Sequence, residues 1–585
     1  MAYLMHDQIR LSLAQWLHRG LRELQVPELS VESVYQGLVP APDLKLGHFA
    51  FALFPWAKAL KTNPAQLAGK LQALLAEHAP PALVEKAQAA GPYLNLTLAA
   101  GPLAQAVLPA MLDGSYFTRR LSEKMPKTMI EFSQPNTHKE MHVGHMRNLC
   151  LGDALIRLHR YSGYDIVAST FPGDVGTHVA KCLWYYKKHN TEAPPAERKG
   201  AWLGRLYSKA HNLLEDQRGT PAEETNRQEL TAILHQLEKK SGEYYELWKE
   251  TRQWSVELMN EVYAWAGVSF DAWYWESEVD SDSVKLVREW QKKGLFVEDQ
   301  GAVGADLKEW GLGFCLLLKT DGNGLYATKD IELARRKFQE RGIEKSVYVV
   351  DLRQAHHFKQ VFKVLELMGF EHAKDCFHLQ YDFVELPDGA MSSRKGNIVA
   401  LQSLVDNMVA TIKRDYLERY RGQWSDAEIE QTAQDVARGA IKYGMTRIDP
   451  SKKIVFAMDE WLKLDGESGP YLQYSYARIQ SLAKKIELTG APDYKSLIHP
   501  SELQLLTLLP QLNTLVTQAT EQYRPSLLCA YLYDVARAFN GFYAECPIAS
   551  APTGVREARL DLARSTAEVL RHGLNLLGIP APSQM

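Results

Sequence analysis

Residues 128–170 constrain the fold more than any other part of the chain. Thr128-Met129-Ile130-Glu131-Phe132-Ser133 reads as a buried strand and runs into a polar loop over 134–140. A helix starts at or near His142, carries Leu151, Leu155 and Leu158 on one face, and stops at Gly163. Asp165-Ile166-Val167-Ala168-Ser169-Thr170 reads as the next strand. Strand, loop, helix and strand make a βαβ unit. Strand-like runs return at 313–318 and 346–350, beyond a stretch from 184 onward that is rich in Lys, Glu and Gln and poor in apolar positions. The expected centre is therefore a parallel sheet split by a helical insertion, an α/β architecture.

The flanks differ from this centre. From Asp7 to about Leu24, apolar residues recur at helical spacing; helices are also expected at 64–77 and 102–113, and 93–98 alternates like a strand. Residues 1–120 thus read as a small α/β domain. The sheet domain is expected over 121–450, with its helical insertion at about 184–290. Past 450 the strands disappear, and helix-like stretches at 457–488, 501–520, 526–543 and 556–577 give an all-α bundle over 451–585.

Composition narrows the class. With 46% hydrophobic and 23% charged residues, the chain has the makeup of a globular protein with several cores. No run approaches the ~18 apolar residues of a membrane span. The start, Met1-Ala2-Tyr3-Leu4-Met5-His6-Asp7, lacks the basic-then-apolar pattern of a signal peptide, so a cytoplasmic location is expected. The six cysteines, at 150, 182, 315, 376, 529 and 546, are dispersed without a CxxC pair, and no metal site is expected from them. A net charge of -3 argues against bulk coating of nucleic acid but permits local basic patches.

The strand-to-helix junction carries the strongest chemical signal. A helix N-terminus presents unpaired N–H groups and a positive dipole end, a seat for phosphate oxygens. His142 and His145 add donors there, and Gly144 removes a side chain that would block a flat base. The plain alternative is coincidence in a chain with 18 histidines. Beyond the insertion, Gly389-Ala390-Met391-Ser392-Ser393-Arg394-Lys395-Gly396-Asn397 is a glycine-flanked loop of hydroxyl and basic groups. Such a loop can fold over a triphosphate and stabilise departing pyrophosphate; the alternative is a solvated basic turn.

Glu131-Phe132-Ser133-Gln134-Pro135-Asn136-Thr137-His138-Lys139-Glu140-Met141-His142-Val143-Gly144-His145-Met146-Arg147-Asn148 closely resembles the HIGH region of the arginyl-tRNA synthetases, class I enzymes with a Rossmann-type catalytic domain. The Pro-Asn pair and the lysine three residues before the first histidine are characteristic of that family. Met391-Ser392-Ser393-Arg394-Lys395-Gly396 resembles the second class I signature, but Ala390 and Ser393 stand where lysines are usual. The resemblance implies that Lys139 supplies the missing cation, with Arg394 and Lys395 as mobile assistants. It assigns ATP to Pro135, Asn136, His142, Gly144, His145, Asp351, Met391, Ser392 and Ser393. Arginine falls to Glu131, Asn136, Tyr326, Asp330 and Gln354.

A guanidinium offers donors in a rigid fork that carboxylates satisfy best, which fits this set. Tyr326 and Asp330, four apart, share a face if a helix starts there, although Asp330 could also be a plain N-terminal helix charge. Asp174-Val175-Gly176-Thr177-His178 resembles the family's Gly-Asp-x-Gly-Thr segment, with Val175 in place of its tryptophan. The region 466–478, Phe539 to Pro547 and the end of the chain resemble the family's helical anticodon-binding domain, which implies tRNA contacts at Tyr474, Arg478 and Met585. The first domain resembles, more weakly, the family's added domain for the outer corner of tRNA. The family further implies ATP with Mg2+, L-arginine and tRNA(Arg) as partners, no membrane association, and a monomer. Two rivals stay open on the residues: a small-molecule nucleotidyltransferase, and an RNA-binding or arginine-sensing relative that has lost phosphate chemistry.

Overall fold

The computed structural model describes residues 7–118, 121–122, 125–386, 389–390 and 400–585. Met391, Ser392, Ser393, Arg394 and Lys395, the expected second signature, lie outside the described residues. Helix Gln8–Glu23 forms where its apolar spacing places it, burying Leu13, Leu17 and Leu21 on one stripe, with the Asp7 side chain accepting from the Arg10 N–H at 3.0 Å as N-cap. Pro64–Glu77 begins on a proline behind the capping Asn63, a start that needs no N–H from its first residue. These helices cover an antiparallel sheet of order β1-β2-β4-β3, made of β1 (Leu38–Pro40), β2 (Phe49–Ala52), β3 (Val84–Ala90) and β4 (Tyr93–Leu98).

The central sheet starts with β5 (Thr128–Glu131), every residue of which is buried. Helix Val143–Tyr161 then leads to β6 (Ile166–Thr170), so the βαβ unit forms as expected. Helices Thr177–Lys188, Lys199–Asp216, Ala222–Glu238 and Glu243–Ala266 follow, and the chain returns to the sheet at β7 (Ala272–Trp273). This edge strand of the sheet therefore sits inside the stretch expected to be wholly helical; it has two residues, too few to show a period.

Helix Glu276–Lys292 leads to β8 (Val297–Asp299), β9 (Ala302–Asp306) and β10 (Phe314–Leu318), a separate antiparallel sheet. The 313–318 run is thus a strand but not part of the parallel sheet. An apolar run does not by itself reveal its partner: Cys315, Leu317 and Leu318 are buried in a local core with Val303, Leu286 and Val364. Helix Tyr326–Arg341 returns the chain to β11 (Lys345–Asp351), and helix Ala355–Leu367 leads to β12 (Cys376–Tyr381). The parallel sheet runs in the order β12-β11-β5-β6-β7. Its first strand in sequence is its middle strand in space, and the order reverses beside β5, where open α/β sheets leave a crevice at the carboxyl ends.

A small sheet of β13 (Val384–Leu386), β14 (Gly389–Ala390) and β15 (Ile454–Val455) flanks this crevice. After 455 the described residues hold helices only, including Gly469–Lys485, Ser526–Glu545 and Val555–Leu576. This bundle shares a continuous apolar core with the first 120 residues: Leu17, Leu71 and Leu108 belong to the same cluster as Leu505, Leu532 and Leu570. Tyr116 Oη seals the contact by donating to the Pro510 carbonyl at 2.9 Å.

Candidate active site

The crevice beside β5 gathers most of the expected residues, and local capping explains the order of the first group. His142 is the N-cap of helix Val143–Tyr161, in a reciprocal box: Gly144 N–H donates to His142 Nδ1 and His142 N–H donates to His145 Nδ1, both at 3.1 Å. Because each Nδ1 accepts a backbone N–H, each proton sits on Nε2 and both imidazoles keep that edge as a donor. The rings lie 3.9 Å apart. Burial lowers His142 to about 4, helped by Lys139 and Arg353, and burial with His142 and Lys139 holds His145 well below the usual histidine range. The helix thus begins with two neutral ring donors at the positive end of its dipole.

Lys139 precedes this cap, half-buried, with Nζ 4.6 Å from the centre of the Tyr207 ring. Burial lowers its pKa, and its charge reaches His142, His145 and His178. The preceding loop is held rigidly. His138 lies in the left-handed region (φ 60°), and its ring is buried between Thr137 Oγ1 at 2.9 Å and Thr251 Oγ1 at 2.8 Å, while its N–H donates to Ser255 Oγ. The insertion helix Glu243–Ala266 is therefore the mould for this loop. The chain also returns beside the cap after the second signature: Ala400 bridges His142, and Leu401 N–H donates to the Met141 carbonyl at 3.0 Å.

Pro135 and Asn136 lie across from Gly173 at the end of β6: Gly173 N–H donates to the Pro135 carbonyl, Thr137 N–H to the Gly173 carbonyl, and Asn136 bridges Gly173. A Cβ on Gly173 would stand 2.4 Å from Asn136 Oδ1 and 3.4 Å from Glu276 Oε1, so these side chains converge over one glycine. Glu276 is pushed up to about 7 by burial, against the pull of Lys329, whose ammonium lies 3.3 Å from both Glu276 and Asp280. Helix Tyr326–Arg341 does start at Tyr326, leaving its ring 70% exposed and placing Asp330 one turn on. Asp330 Oδ2 is bound by His357 Nε2 at 2.6 Å; burial works against the charged imidazole, but the bond to Asp330 and its charge prevail and raise His357.

Glu131, last residue of β5, is buried; Gln134 Nε2 donates to its Oε1 at 3.2 Å and the fully buried Lys337 ammonium pairs with Oε2. Asp351, last residue of β11, is held by its neighbour: Arg353 donates from its backbone N–H and Nε at 2.8 Å and from Nη2 at 2.6 Å. Gln354 is exposed at the end of the short helix that follows. Sequence reasoning missed His357, Glu276 and Lys337. His357 lies three residues after Gln354 and Lys337 two turns beyond Asp330 on the same helix, but neither spacing names its partner, and nothing local marked Glu276.

The expected RNA-binding residues sit elsewhere. Tyr474 and Arg478 lie half-buried on helix Gly469–Lys485, with the Arg478 guanidinium 4.3 Å over the Tyr543 ring. Met585 lies against the catalytic part, its carbonyl accepting from Tyr420 Oη at 3.2 Å beside the stacked Tyr420–Trp424 pair.

Comparison with known proteins decides the family. Residues 107–456 match the family model described as tRNA synthetases class I (R), catalytic domain; 472–585 match the DALR anticodon binding domain, and 7–98 the arginyl tRNA synthetase N terminal domain. The chain belongs to the class I arginyl-tRNA synthetases. It is 58% identical to the arginine–tRNA ligase of Bdellovibrio bacteriovorus over 99% of this chain and 100% of that one. Against the arginine–tRNA ligase of Treponema denticola it is 34% identical over 92% and 93% of the two chains. Superposed on the Thermus thermophilus arginyl-tRNA synthetase, it gives a TM-score of 0.80 at 28% identity, covering 99% of this chain and 100% of that one. In the frame of an arginyl-tRNA synthetase, the cap at His142 is the HIGH element and the bundle after 472 the anticodon-binding part.

Proposed function

We propose that the chain is an arginine–tRNA ligase that activates L-arginine with ATP and passes it to the terminal ribose of tRNA(Arg), releasing AMP and diphosphate. The observation that carries this reading is the paired, tautomer-fixed His142–His145 cap on the helix that follows β5, the strand that ends on the buried Glu131 carboxylate. In the first step the arginine carboxylate attacks the α-phosphorus, an arginyl-adenylate forms and pyrophosphate leaves. Nε2 of both histidines and the helix N-terminus face the phosphates, and Lys139 is the cation that meets their growing charge. Pro135, Gly144 and Asp351 line the nucleotide side. Asn136 and Gln354 hold the arginine main-chain groups, while Tyr326, Asp330 and Glu131 take the guanidinium.

In the second step the 2′-hydroxyl of the terminal ribose attacks the arginyl carbonyl and AMP leaves. Met391, Ser392, Ser393, Arg394 and Lys395 belong to the same ATP site by the family's pattern, and Tyr474, Arg478 and Met585 to the tRNA surface. Among the described residues no group of three or more His, Cys, Asp or Glu side chains could hold a metal ion. In this reading magnesium accompanies the ATP phosphates. The family reading makes the enzyme a cytoplasmic monomer; among the described residues no helix is long and apolar enough to cross a membrane. Pyrophosphate exchange, measured with each amino acid and with or without tRNA(Arg), tests the proposal. Exchange with arginine plus its tRNA is expected; none under those conditions would overturn it, and exchange with neither would favour a nucleotidyltransferase.

A further inference from the structure

Lys337 is an expensive residue for its place. It lies on helix Tyr326–Arg341 two turns beyond Asp330, is 0% exposed, and its ammonium stands 3.9 Å over the Tyr348 ring while pairing with Glu131 Oε2. A buried ion pair is weak as a stabilising device, because apolar side chains of similar volume often serve the fold as well or better. The register places Glu131 opposite Tyr348, three residues short of Asp351. The Glu131 backbone thus lies roughly 10 Å below the carboxyl edge of β11, and its side chain is buried there. Its second oxygen, Oε1, meets only the neutral amide of Gln134 at 3.2 Å.

We propose that Lys337 is a positioning residue for arginine recognition: by pairing with Glu131 Oε2 it fixes the carboxylate before substrate arrives, so that Oε1 is the edge offered to the guanidinium. The inference rests on the assignment of Glu131 to the guanidinium made above. The groups facing Glu131 are few. Helix Tyr326–Arg341 brings Lys337 and the loop after β5 brings Gln134, while β11 brings Tyr348, whose own hydroxyl feels Cys376, Glu131 and Asp330. Lys337 is the cation of this set. Without it, Oε2 loses its partner and the carboxylate is free to turn, so the two-point geometry that a guanidinium fork needs is no longer preset.

The test is steady-state aminoacylation by the full chain with arginine and ATP varied separately. Lys337→Met and Lys337→Gln are expected to raise the KM for arginine by about tenfold near neutrality, the worth of one charge-assisted hydrogen bond. The KM for ATP should stay within about twofold. Lys337→Arg should restore most of the affinity. A loss that falls equally on ATP and arginine makes Lys337 merely structural and overturns the inference; so does Lys337→Arg behaving like Lys337→Met at equal Tm. Glu131→Gln separates the two claims. If it leaves the arginine KM unchanged, the assignment of Glu131 fails and this inference with it; if it raises that KM while both neutral Lys337 variants do not, only the inference fails.

Discussion

In the proposed mechanism Lys139 is the residue on which the chemistry turns. Its charge is felt by His142, His145 and His178, all half-buried and with lowered pKa, so it is the cation that this histidine group shares. Lys139→Ala is expected to lower the rate of arginyl transfer by about a hundredfold or more, as the loss of a preorganised charge does, with tRNA affinity nearly unchanged. Single-turnover aminoacylation alongside a tRNA binding titration checks both halves. Full activity in the variant would return the role to Arg394 or Lys395. Residue-level reading of the sequence could single out Lys139 and the two histidines because they are close together in the chain. It could not find His357 on Asp330 or Lys337 on Glu131, since those partners come from segments that only the fold brings together.

At the scale of elements, glycines mark where strand, loop and helix approach most closely. A Cβ on Gly152 would stand 2.1 Å from the Phe132 ring, so helix Val143–Tyr161 lies against the end of β5 with no room for a methyl group. Gly152→Ala is expected to cost about 1–3 kcal/mol through overpacking, seen as a lower midpoint in urea. Gly173→Ala has a different signature. Its Cβ would displace Asn136, so the arginine KM should rise while stability changes less, and kinetics beside a melting curve separate the two variants. Arg147 ties the same helix to the small sheet beside the crevice by donating to the carbonyls of Phe383, Asp449, Pro450 and Lys452. The helix boundaries were legible in sequence because caps and apolar spacing are local. Gln8–Glu23, Pro64–Glu77 and Val555–Leu576 fall within a few residues of expectation. Strand partnership was not legible: 313–318 reads as a sheet strand, yet it pairs with β9.

For the whole molecule, buried neutral histidines set the acid limit. Burial lowers His138 and His178 to about 3 and His142 and His159 to about 4, all below the value of about 6.5 in an unfolded chain. Because the unfolded chain takes up these protons first, stability falls as pH drops from 6.5 toward 4 and is fully regained above 6.5. At pH 5.5 each group costs about 1 kcal/mol, and Tm should decline steadily from pH 7 to 5. A flat profile would show that these rings gain protons without unfolding.

The placing of β5 reaches beyond the finished enzyme. Thr128 pairs on one side with Ile166 and on the other with Lys345. A ribosome adding about 5–20 residues per second makes the first neighbour within seconds and the second only after roughly 10–40 s. During that interval the middle strand carries one satisfied edge and one open edge. The nascent chain is therefore at its most vulnerable to mispairing before its catalytic sheet can close, and synthesis speed across the insertion bears directly on yield.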